Sequence, residues 1–164
     1  FTAISYCWGS SERPHLVKCS DPKKIVITEN LKNLLLALRT EDTYVTLWID
    51  SICINQDDIE EKTKQVKMMS LIYENASTTV VYLGESNQET EAAMECAKEL
   101  AAMKDWPKEK VPQFLPDQRQ PVDPPLVGDQ GEPQNFIDKW RAFTRLLDRP
   151  WFQRVWVVQE IILS

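Results

Sequence analysis

Glu160 follows Trp156 by four residues in the segment 148–164, D-R-P-W-F-Q-R-V-W-V-V-Q-E-I-I-L-S, and no other stretch of the chain is better suited to chemistry. On a helix that spacing puts the indole one turn below the carboxylate, on a face shared with Gln153. Trp151, Val155, Val158 and Ile162 make a second, wholly apolar face at helical period. Pro150 suits the first turn, where its locked φ fits and its missing N–H is not needed. A carboxylate on so apolar a helix is costly to bury unless it is paired or used. Two readings stay open: Arg154 satisfies Glu160 as an ion pair, or Glu160 acts on a ligand.

A second acid, Asp50, closes the run Y-V-T-L-W-I-D at residues 44–50. The run is apolar nearly throughout, as expected of an interior parallel strand. Its carboxyl end is where open α/β sheets place ligands. Asp50 as the cap of the following turn is the plainer role, and the two are compatible.

Other chemistries are poorly supported. The four cysteines, Cys7, Cys19, Cys53 and Cys96, lack metal-ligand spacing, and His15 is the single histidine, so no metal site is expected. Free thiols point to a cytoplasmic protein. A net charge of −6 leaves no basic excess for nucleic acid. No apolar run is long enough to span a membrane. With 164 residues, 43% of them hydrophobic, the chain is expected to fold as a single domain over residues 1–164. It starts inside an apparent strand and stops inside an apolar helix, so both ends are expected to be cut from a longer polypeptide.

The elements that position these residues follow from pattern. Residues 1–7 read as a strand, ended by Trp8 and by Gly9, which permits a sharp turn or a close backbone approach. Residues 10–23 read as a loop and residues 24–28 as a short strand. Leu31, Leu34, Leu35 and Leu38 predict an amphipathic helix over 29–39. Residues 51–56 read as a loop. Asp57 with Glu60 resembles a capping box that opens a helix to about residue 75, with Ile59, Val66, Met69 and Tyr73 inward. Residues 78–83 read as a buried strand and residues 89–104 as a helix. From residue 105 to 133 lie seven of the ten prolines (all but Pro14, Pro22 and Pro150), which predicts a variable insertion. A helix over 135–147, with Phe136, Trp140, Phe143 and Leu147 inward, completes the chain before Pro150. Strands alternating with helices predict an α/β fold with a mainly parallel central sheet flanked by helices. An α+β arrangement is the alternative, should the strand at residue 25 pair antiparallel at an edge.

Three blocks carry a resemblance: A-I-S-Y-C-W-G (3–9), L-W-I-D-S-I-C-I-N-Q-D-D-I-E-E-K-T-K-Q-V-K-M-M (47–69) and R-P-W-F-Q-R-V-W-V-V-Q-E (149–160). In this order they resemble the fungal heterokaryon incompatibility (HET) domain. That resemblance implies a cell-death effector of non-self recognition, joined to other modules of one polypeptide and acting through self-association. HET domains in turn distantly resemble TIR domains, which implies a flavodoxin-like sheet. It also implies cleavage of NAD, as substrate rather than cofactor, at the nicotinamide–ribose bond, with Glu160 as the catalytic residue. Ser5, Tyr6, Trp8 and Gly9 would then contact the ligand, Asp50, Asn55 and Gln56 would complete the rim, Trp156 would stack on a ring, and Arg154 would meet a phosphate. Each has a plainer alternative: core aromatics for Tyr6 and Trp8, turn residues for Asn55 and Gln56, ion pairing for Arg154. A non-enzymatic self-association domain and a nucleotide binder without cleavage are the competing functions.

Overall fold

The computed structural model describes residues 1–20, 24–102, 132–155 and 157, with the backbone alone for 132–136. Two compact units are present, Phe1–Glu85 with Pro150–Ser164 and Ser86–Arg149.

The first unit is built on a parallel sheet. Strand β1 (Thr2–Tyr6) lies between β4 (Leu47–Trp48) and β5 (Thr78–Tyr82), in the order β4-β1-β5. Thr2 pairs with Leu47 on one side, and residues Thr2 to Tyr6 pair with Thr78 to Tyr82 on the other. Helix α1 (Glu29–Leu38) lies between β1 and β4 in the chain, and α3 (Ile59–Glu74) between β4 and β5. The first crossover steps outward from β1 and the second steps back across it. Two crossovers of one hand in opposite directions must put their helices on opposite faces.

The core shows that arrangement. Ile4 and Tyr6 pack with Leu31 and Leu34 of α1, together with Ile27 and Ile49. Ala3, pointing the other way, packs with Met69 and Tyr73 of α3. Tyr73 also donates its hydroxyl to the Ile4 carbonyl at 3.1 Å and meets the Trp48 ring edge-on. Leu35 and Leu38 complete the α1 stripe, as their spacing predicts. Thr28 caps α1 by accepting the Leu31 N–H.

Several elements differ from expectation. Residues 44–50 were expected to form an interior strand, yet among the described residues only Leu47 and Trp48 pair, and β4 is an edge strand beside β1. Tyr44 and Val45 precede the first pair with β1 and are exposed. At the other end Ile49 caps a short helix, α2 (Asp50–Cys53), where a loop was expected. Within the expected loop 10–23, His15–Lys18 forms β2, antiparallel to β3 (Lys24–Ile27) in a separate two-stranded sheet. Alternation over four residues between two prolines is too short a signal to read. Helix α3 is capped by Asp58, whose Oδ1 accepts the N–H groups of Glu60 and Glu61, and Ile59 points outward, 81% exposed.

Pro150 opens a 3₁₀ turn, Pro150–Gln153, rather than an α-helix. Trp151 is buried as expected, but Val155 is exposed. Val158 and Ile162 lie outside the described residues, as does the Pro-rich stretch up to residue 131.

The second unit pairs α4 (Thr90–Ala102) with α5 (Glu132–Leu147). Its most buried side chains are Ala93, Cys96, Ala142 and Leu146. Trp140 and Phe143 are partly buried and Leu147 is exposed, so the inward stripe runs beside the expected one. Lys139 falls on it, and its ammonium bridges Glu95 and Glu99 of α4.

Candidate functional site

The carboxyl ends of β1 and β4 bring together residues more than forty positions apart. The Trp8 indole N–H is shared between both carboxylate oxygens of Asp50, at 3.0 Å each. Asp50 Oδ1 also accepts the Ser51 N–H at 2.7 Å, which turns the chain into α2. Beside it, the hydroxyls of Tyr6 and Ser51 are 2.6 Å apart. Two aromatic residues at the end of β1 are thus tied to two polar residues at the end of β4.

The electrostatics follow from burial. Tyr6 is 1% exposed, and desolvation pushes its phenol well above the ordinary tyrosine range. The Ser51 hydrogen bond pulls it back, the Asp50 charge raises it, and the positive charges of Arg154 and Arg13 lower it. Tyr6 is therefore a neutral hydroxyl at physiological pH, able to donate a hydrogen bond and unable to serve as a base. Arg154, at the end of the 3₁₀ turn, belongs to the same neighbourhood as Tyr6 and Asp50.

Ser5 points away from this array. Its Oγ accepts the Trp151 indole N–H at 2.7 Å in a buried contact, which fastens the 3₁₀ turn to β1. At 1% exposure its hydroxyl faces no solvent. Gly9 adopts φ +73°, and a Cβ there would lie 2.7 Å from Asn30 Nδ2. That amide donates to the Cys7 carbonyl at 3.1 Å, so Asn30 and Gly9 together shape the turn that presents Trp8.

The loop after α2 is held locally. Gln56 Nε2 donates to the carbonyls of Asp50 and Ile54, at 3.0 and 3.2 Å, while its buried Oε1 has no partner among the described residues. Asn55 is exposed, and its Oδ1 accepts the Asp57 N–H in a turn. These contacts match the turn role weighed for both residues. Trp156 and Glu160 lie outside the described residues.

Of the expected site, Trp8 and Gln56 hydrogen-bond to Asp50, through its carboxylate and its backbone carbonyl, and Tyr6 joins them through Ser51. Ser51, Asn30 and Trp151 are further members that the sequence did not single out for this role. Ser51 stood inside a quoted block but carried no signal of its own. Among the described residues, no group of three His, Cys, Asp or Glu side chains is placed to hold a metal ion. No helix among them is long and apolar enough to cross a membrane.

Comparison with known proteins agrees with the blocks that build this edge. The profile of the family described as Heterokaryon incompatibility protein (HET) matches residues 1–160. Heterokaryon incompatibility protein 6, OR allele, of Neurospora crassa is 32% identical over 185 residues, which cover 99% of this chain and 27% of that protein. The chain thus spans about a quarter of the length of this curated relative. No solved structure matches it.

Proposed function

The chain belongs to the heterokaryon incompatibility (HET) family, and from that premise we propose that it is a cytoplasmic effector of fungal non-self recognition. In this reading it triggers cell death by hydrolysing NAD at the nicotinamide–ribose bond once several copies have assembled. The observation that carries the reading is the array at the carboxyl edge, where Trp8 and Asp50, Tyr6 and Ser51 meet beside the charge of Arg154. The strand order, second-first-third, is that of the opening strands of a flavodoxin-like sheet, whose ligands bind at that edge.

The reaction asks little of the protein. The bond between ribose C1′ and the nicotinamide nitrogen breaks, and its electron pair leaves with a neutral nicotinamide. Water then adds to C1′ and loses a proton, giving ADP-ribose. A carboxylate beside the ribose stabilises the oxocarbenium-like transition state, the role assigned to Glu160. Asp50 is held by the Trp8 indole and the Ser51 N–H, so its task is to fix Trp8 as a wall of the site. Arg154 offers a cation to the diphosphate.

The test is to follow nicotinamide release from NAD by concentrated protein, comparing the unaltered chain with Glu160→Gln and Glu160→Ala. Both substitutions are expected to lower release by at least about a hundredfold, in the range for loss of one charge-stabilising group. Release that survives both removes Glu160 from the mechanism.

One observation favours a second reading, in which assembly alone is the signal. A groove of about 660 Å³ among β2, α1 and the approach to β4 includes none of the proposed NAD contacts. No nicotinamide release from any assembled form would favour that reading.

A further inference from the structure

The groove is lined by apolar side chains, among them Leu16, Leu35 and Leu36, and by the cations of Lys32 and Arg39. Leu16 and Leu36 are each more than half exposed. Lys32 on the rim is neutralised by Glu29, but Arg39 at the end of α1 forms no ion pair among the described residues. Exposed apolar surface of this kind, rimmed by charge, marks an interaction site.

A matching surface occurs on the same chain. Ile59 is 81% exposed at the first turn of α3 and stands within Asp57-Asp58-Ile59-Glu60-Glu61, one aliphatic side chain among four carboxylates. Glu60 is paired with Lys64, and Asp58 caps the helix, but Asp57 forms no ion pair among the described residues. An unpaired cation beside an apolar groove thus has its complement in an unpaired acid beside an exposed isoleucine.

The two surfaces cannot meet within one copy. Parallel strands put the first turn of α3 beyond the carboxyl end of β4, and Tyr44, Val45 and Arg39 towards its amino end. Helices α1 and α3 also cover opposite faces of the sheet. We propose that the Ile59 turn of one copy docks in the Arg39-rimmed groove of a second copy. Such a contact is heterologous, so each added copy leaves one groove and one Ile59 turn free, and the assembly stays open-ended. The proposal rests on the self-association reading above. Its readout is mass rather than nicotinamide, so its failure and the failure of NAD cleavage are distinguishable.

Sedimentation velocity over a series of concentrations tests it. The unaltered chain is expected to grow past the dimer as concentration rises. Arg39→Glu, which repels the acidic turn, and Ile59→Ser, which removes the apolar tip, are each expected to weaken association by at least about tenfold. Mixed together, the two variants are expected to form a one-to-one pair that grows no further. The first keeps its Ile59 turn and the second keeps its groove, and pairing also shows that both are folded. A chain that stays monomeric at every concentration overturns the proposal. So does assembly that neither substitution weakens, or a mixture that forms no pair.

Discussion

The carboxyl edge of the sheet and the groove beside α1 belong to the same unit, yet they spend their bonding capacity in opposite ways. At the edge, Trp8, Asp50, Ser51 and Tyr6 hydrogen-bond to one another, and Trp151 closes on Ser5. In the groove, apolar side chains face solvent and Arg39 forms no ion pair among the described residues. An internally bonded array holds a geometry, whereas an unspent apolar surface has its stabilisation still to gain from another molecule. The two regions should therefore respond to substitution in different currencies: folding stability at the edge, association at the groove.

The largest contrast is expected at Trp151. Trp151→Ala empties a site that is 3% exposed and leaves Ser5 without the indole donor, at a cost of about 3–5 kcal/mol in urea denaturation. Leu36→Ser in the groove, where the side chain is 56% exposed, should stay within about 0.5 kcal/mol of the unaltered chain. Equal losses at the two positions would break the contrast.

A smaller effect is expected at the turn that carries Trp8. Gly9→Ala forces φ +73° on a residue with a Cβ and drives that atom against Asn30. About 1–2 kcal/mol comes from the backbone, and about 1 kcal/mol more if Asn30 gives up its hydrogen bond to the Cys7 carbonyl. Adding Asn30→Ala should remove the crowding without easing the backbone. The double substitution then costs less than the sum of the two single ones, which a double-mutant cycle measures.

Tyr6→Phe ranks next, and pH separates its contributions. Near neutrality it removes one hydrogen bond to Ser51, worth about 1 kcal/mol. Burial raises the folded-state pKa of Tyr6, so the unfolded chain loses the phenolic proton first as pH rises past about 10. The unfolded state is then favoured, and stability falls by up to about 1.4 kcal/mol per pH unit until the folded phenol also ionises. Below that window the group has no pH-dependent effect. The variant should lack this part of the alkaline loss, seen as unfolding midpoints of the two proteins that converge between pH 9 and 11.

How much of this was legible in the sequence depended on the range of the signal. Leu31 and Leu34 report their burial through helical spacing, and Met69 and Tyr73 do the same on the opposite face. Gly9, followed by a polar run, announced its turn. The same rule put Ile59 inward, because period counting does not see that Asp58 caps the helix one residue earlier and leaves Ile59 in the outermost turn. Residues 44–50 have strong strand propensity, yet among the described residues only Leu47 and Trp48 pair with β1. At the edge, nothing local links Trp8 to Asp50 across 42 positions, or marks Ser51 and Asn30 as partners of aromatic and glycine neighbours. Parallel pairing aligns the ends of β1 and β4 and so joins Trp8 to Asp50 and Tyr6 to Ser51, while α1 brings Asn30 to the turn.

The smallest expected effect on folding lies at Ile59, where the contrast is sharpest. An isoleucine 81% exposed buries little on folding, so Ile59→Ser should leave the urea midpoint unchanged within about 0.5 kcal/mol. The hydroxyl even suits a helix N-terminus, where serine competes for backbone N–H groups. Association should respond instead, because the apolar tip meets the groove only when a second copy binds. If Ile59→Ser lowers folding stability by more than about 1 kcal/mol, this side chain already packs within its own copy. If it leaves both quantities unchanged, Ile59 is surface without a partner, and the division between a bonded edge and an unspent groove loses its second half.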